Sequence, residues 1–80
     1  MELKVLGAGC VNCETLAQRA GEALASLGIE GSVEKVTDYA VIAAHGVMQT
    51  PALVADDEVI LSGRVPTVPE LVSLLAGVAG

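Results

Sequence analysis

Eighty residues carrying ten carboxylates against Lys4, Arg19, Lys35 and Arg64 have a net charge of −6, which repels phosphate backbones and anionic membranes and argues against nucleic acid as a partner. Hydrophobic residues make up 52% of the chain, with no Phe, no Trp and one Tyr, so the core must be aliphatic and no base-stacking platform can be built. At this size nearly every apolar residue has to join one core, and residues 1–80 are expected to form a single domain.

No apolar run approaches the roughly 18 residues needed to span a bilayer, and Met1-Glu2-Leu3-Lys4 leads into a strand-like run without a basic leader. A cytoplasmic protein that does not contact membrane is expected. In a reducing compartment the spacing Cys10-Val11-Asn12-Cys13 belongs more often to catalysis or metal binding than to a structural staple, since a bridge closing so small a loop removes little unfolded-state entropy.

In chain order, Glu2 to Leu6 alternates polar and apolar residues and predicts a short strand running into Gly7. From Val11 onward Cys13, Leu16, Ala17, Ala20, Leu24 and Leu27 recur at spacings of three and four, the pattern of an amphipathic helix ending at Gly28. Gly21 inside it weakens helix propensity by roughly 1 kcal/mol against Ala, and close packing against a neighbour is the expected reason for it. Ile29 to Val36 reads as a strand interrupted by Gly31. Thr37 or Asp38 can cap a short helix over Tyr39 to His45 that closes at Gly46. Ala52 to Ala55 and Val59 to Leu61, separated by Asp56-Asp57-Glu58, predict a hairpin, and Gly63-Arg64-Val65-Pro66 ends its second strand. Thr67-Val68-Pro69-Glu70 has capping-box spacing ahead of a helix with Leu71, Leu74, Leu75 and Val78 on one face. The order is β-α-β-α-β-β-α, and its first half is a βαβ unit with parallel strands.

The helical phase makes the two cysteines unequal. Cys13 lies on the apolar stripe and should be buried, whereas Cys10 sits at the first turn, where unpaired N–H groups stabilise a thiolate by about 0.3–2 kcal/mol. In the redox reading the Cys10 thiolate attacks a substrate disulfide, and Cys13 then attacks the mixed disulfide and leaves a Cys10–Cys13 bridge. In the metal reading the two thiolates hold a soft ion such as copper(I), the chemistry of a metal chaperone. A structural zinc site lacks ligands, since only His45 and scattered acids remain, and His45 is assigned no role.

Asn12 has two readings of equal weight, a hydrogen bond to a thiolate and a helix cap. Gly7-Ala8-Gly9 either brings backbone close to the thiols or simply makes the turn. Met48 is either a core filler or, beside the thiols, a residue that covers the disulfide or receives a partner. Thr50-Pro51 precedes a strand-like run at a position where proline cannot donate to the ladder, which implies a tight turn beside the thiols.

Gly7-Ala8-Gly9-Cys10-Val11-Asn12-Cys13, Gly46-Val47-Met48-Gln49-Thr50-Pro51-Ala52-Leu53 and Gly63-Arg64-Val65-Pro66 together resemble the small redox-active disulfide proteins, a short thioredoxin-like and glutaredoxin-like family, over nearly the whole chain. The resemblance implies an α/β thioredoxin-like fold with a four-stranded mixed sheet flanked by helices. It also implies Cys10 as nucleophile, Cys13 as resolving thiol and Pro51 as a cis-proline facing them. Thr50 would offer backbone to an extended substrate, and Val11, Asn12 and Met48 complete the expected substrate-contacting set. The chain departs from typical thioredoxins in three places: Gly9 replaces the tryptophan before the first cysteine, Val11-Asn12 replaces Gly-Pro, and the region of the first strand where those proteins keep a buried carboxylate near the resolving cysteine holds Lys4 and no such acid.

The expected function is dithiol–disulfide exchange with protein disulfides by a monomer that needs no cofactor or metal and is recharged by an external reductase or thiol. The rival, a copper(I) chaperone of ferredoxin-like form, would run β-α-β-β-α-β and end in a strand.

Overall fold

The computed structural model describes residues 1–7 and 11–79. Seven elements follow in order: β1 (Glu2–Leu6), α1 (Val11–Leu27), β2 (Ser32–Val36), α2 (Tyr39–Ala44), β3 (Ala52–Ala55), β4 (Glu58–Ser62) and α3 (Val68–Ala79). The strands form one mixed sheet in the order β2-β1-β3-β4, with β1 parallel to β2 and antiparallel to β3, and β3 antiparallel to β4. This is the α/β arrangement expected of a thioredoxin-like chain. A second helix separates the βαβ unit from the hairpin, an order that a ferredoxin-like domain does not have.

Alternation along β1 sends Leu3 and Val5 to one face of the sheet and Leu6 to the other. On the first face Leu3, Val5, Leu53 and Leu61 meet the stripe of α1, including Leu16, Ala20 and Leu24, and Leu71 and Leu75 of α3. The second face holds a smaller cluster of Leu6, Ile42, Ala52 and Val54, with Val36 and Val47 at its margin. No buried residue is polar or charged among those described, and the core is wholly aliphatic apart from Cys13, as a chain without Phe or Trp requires.

Local chemistry sets the element ends. The chain leaves α1 through Gly28 at φ +67°, where Gly28 N–H donates to Ala25 O and Ile29 N–H to Leu24 O at 3.1 Å each, satisfying carbonyls of the last turn. That arrangement also corrects the expected strand over Ile29 to Val36: with the Ile29 N–H committed to the helix, the ladder begins only at Ser32, whose N–H donates to Met1 O. Between Thr37 and Asp38 the cap is Asp38, whose carboxylate accepts from Ala40 N–H at 2.8 Å. The hairpin turns on Asp56 and Asp57 at φ 48° and 69°, so Glu58 belongs to β4 rather than to the tip. Of the expected capping box only one arm forms. Glu70 N–H donates to Thr67 Oγ1 at 3.3 Å, while the Glu70 carboxylate pairs with the Arg64 guanidinium instead. Gly21 also differs from expectation, because a Cβ built on it would have nothing within 4 Å. It faces open space, and no neighbour requires it.

Candidate active site

The antiparallel register pairs Leu6 with Ala52, so the chain leaving β1 at Gly7 runs alongside the chain entering β3 at Pro51. Gly7 is buried and its N–H donates to Val36 O at 2.9 Å, which ties this end of β1 to β2. A β-carbon at Gly7 would stand 2.2 Å from Cys13 Sγ and 3.7 Å from Thr50 Cβ. The sulfur at the start of α1 and the side chain before Pro51 therefore converge on one point of bare backbone, although they are 37 residues apart in sequence. Of the two roles considered for this glycine, close approach to a thiol position is the one the geometry requires.

Cys13 is 4% exposed, as its place on the apolar stripe of α1 dictates, and it is disulfide-bonded and does not titrate. Cys10, with Ala8 and Gly9, lies outside the described residues, so its expected exposure and nucleophilic role concern a position not described. Val11 is 81% exposed and Asn12 is exposed beside it, both on the first turn of α1. A groove opens from Val11 between α1 and β2, lined further by Glu14, Thr15, Gln18, Val33 and Lys35. Lys35 and Glu14 pair across it at 2.6 Å with both side chains about half or more exposed, a contact that solvent screening leaves worth little.

The Thr50–Pro51 bond is cis. Pro51 is buried while Thr50 is exposed, and neither the N–H nor the C=O of Thr50 has a hydrogen-bond partner among the described residues. Met48 is 97% exposed, which overturns its reading as a core filler and places an apolar side chain on the surface two residues before Thr50. Gly63, just past β4, holds this segment from the other side: at φ +75° its N–H donates to Pro51 O at 2.9 Å. A Cβ on Gly63 would come within 2.1 Å of Gln49 Oε1. Sequence reasoning missed this support because Gly63 reads only as the end of a strand and Gln49 as a polar loop residue.

Around this point, Cys13 Sγ and Thr50 Cβ both approach the Cβ position of Gly7, Pro51 adjoins Thr50, and Val11, Asn12 and Met48 are exposed on the two flanking segments. Among the described residues there is no group of three or more His, Cys, Asp or Glu that could hold a metal ion and no helix long and apolar enough to cross a membrane.

A family model described as a thioredoxin domain matches residues 1–76. A thioredoxin of Methanothermobacter thermautotrophicus is 34% identical over 76 residues, covering 95% of this chain and 99% of the relative. A thioredoxin of Methanocaldococcus jannaschii is 33% identical over 69 residues, covering 86% of this chain and 79% of the relative.

Proposed function

We propose, for a chain that belongs to the thioredoxin domain family, that it is a thiol–disulfide oxidoreductase acting on protein disulfides through Cys10 and Cys13. The observation that supports this most strongly is the convergence of Cys13 Sγ and Thr50 on Gly7. A buried sulfur close to the backbone of exposed Thr50, whose N–H and C=O have no hydrogen-bond partner among the described residues, suits a site where a disulfide arrives on an extended chain.

In the proposed reaction the Cys10 thiolate attacks one sulfur of the substrate disulfide. The substrate S–S bond breaks, a mixed disulfide with Cys10 forms, and the first substrate thiolate leaves and takes up a proton. Cys13, losing its proton to water or to that departing thiolate, attacks the Cys10 sulfur. The mixed disulfide breaks, the Cys10–Cys13 bond forms, and the second substrate thiolate departs and is protonated. Two electrons and two protons pass from the dithiol to the substrate, and an external reductase or a small thiol returns them. Burial gives Cys13 the resolving role, because a shielded sulfur meets only a partner already bound to its neighbour.

Thr50 offers its backbone N–H and C=O to the substrate, pairing as an added strand would, and Pro51 closes the site behind it. Val11, Asn12 and Met48 supply contacts on either side. The reading includes one domain over residues 1–80 working as a monomer in the cytoplasm without bound cofactor or metal, because the redox group is the cysteine pair itself.

Reduction of insulin disulfides with dithiothreitol as electron source tests this. The unaltered chain should accelerate the reaction, and Cys10→Ser should abolish the acceleration. Cys13→Ser should accumulate mixed disulfide and fail to turn over. Equal rates for all three would overturn the assignment.

A further inference from the structure

Gln49 has no part in the chemistry described so far. Its side chain is exposed and its carboxamide has no hydrogen-bond partner among the described residues, yet it lies against backbone. Oε1, Cδ and Cβ come within 2.1, 3.1 and 3.2 Å of the point where a β-carbon on Gly63 would stand. Gly63, also exposed, is anchored to the same segment by the hydrogen bond from its N–H to Pro51 O. An amide with two donors and an acceptor thus rests over a glycine, one residue before the backbone of Thr50, which is equally without partners. A side chain already lying against a surface loses less rotamer freedom when it makes a hydrogen bond than one that moves freely in solvent.

We infer that Gln49 is a recognition residue for polypeptide backbone, its carboxamide hydrogen-bonding the peptide groups of an extended substrate segment docked along Thr50. The absence of a side chain at Gly63 gives the amide room to lie there. The inference rests on the exchange reaction proposed above and adds a selectivity to it: disulfides carried on extended polypeptide should be preferred over small organic disulfides, which have no peptide groups to meet the amide.

The test compares kcat/KM for insulin with kcat/KM for 2-hydroxyethyl disulfide on the same preparations, so that the ratio is independent of the folded fraction. Gln49→Ala should lower the insulin to 2-hydroxyethyl disulfide ratio about three- to ten-fold, the effect of one or two lost hydrogen bonds, and the loss should appear mainly in KM. An unchanged ratio in Gln49→Ala overturns the inference while leaving the oxidoreductase assignment standing. An unaltered chain that turns over neither disulfide overturns both.

Discussion

Replacing Gly7 by alanine probes the contact on which the site is built. The new methyl would stand 2.2 Å from Cys13 Sγ, short of ordinary van der Waals separation by about 1.4 Å. Neither side yields easily. Gly7 is tethered by its hydrogen bond to Val36 O, and Cys13 is 4% exposed on the buried stripe of α1. Gly7 is not among the glycines at positive φ, so alanine meets no backbone penalty there and the cost is steric. Overpacking of this kind costs about 1–3 kcal/mol. With a urea slope near the low end of the usual range, about 1 kcal/mol per M, the unfolding midpoint should fall by about 1–3 M. If the helix start moves to admit the methyl, the Cys13 sulfur shifts by on the order of 1 Å, and disulfide exchange should slow by up to about 10²-fold. Urea titrations of oxidised Gly7→Ala and the unaltered chain, followed by circular dichroism, read the first effect, and insulin reduction reads the second. A midpoint unchanged within about 0.3 M together with undiminished turnover would show that the sulfur does not bear on Gly7.

Substitutions at three further positions test the fold around it. Gly21→Ala should raise stability by about 0.5–1 kcal/mol, since open space surrounds the position and helix propensity alone decides; a loss of stability would contradict that open surrounding. Asp38→Ala should cost about 1 kcal/mol through loss of the cap on Ala40 N–H, whereas Asp38→Asn should recover most of it, both read as unfolding midpoints. Leu71→Ala, at a position 0% exposed between α1, α3 and the sheet, should cost about 2–5 kcal/mol, and a value below 1 kcal/mol in urea titration would contradict that packing.

Periodicity made most of the fold legible. The three- and four-residue recurrence from Cys13 to Leu27, the alternation over Glu2 to Leu6 and the paired aspartates of the hairpin each have one good structural solution, and those elements lie where their pattern places them. Errors arose where a local signal competes with something it cannot encode. The β-branched character of Ile29 suggested strand, but its N–H is used to close α1. Gly21 looked like a packing residue because an unexplained glycine in a helix usually has a neighbour, and here it has none. Met48 is apolar and yet almost fully exposed, because the segment leading to Pro51 runs over the surface. At the candidate site, the burial of Cys13 follows from helical phase. That Cys13 and Thr50 approach the same point of Gly7 depends on the pairing of Leu6 with Ala52, a long-range register that no local pattern carries. The contact of Gln49 with Gly63 crosses 14 residues between two irregular segments and has no periodic signature at all.

The two faces of the sheet are unequally protected, and native-state hydrogen exchange should register the difference. One face is sealed by two long helices. The other is covered by α2, six residues long with Ile42 as its only buried side chain, and burying one such residue is worth about 1.5–3 kcal/mol. The amides of α2 and of the turn that closes it, such as Ile42 N–H bonded to Asp38 O and Gly46 N–H bonded to Ala43 O, should therefore exchange through local opening well below the free energy of global unfolding, while central amides of α1 and β3 should exchange only with the whole molecule. Because α2 leads directly into the segment bearing Met48, Gln49 and Thr50, one cooperative unit of low stability adjoins a rigid one at Gly7. A partner could then reshape the loop on one side of the sulfur without disturbing the helix that holds it.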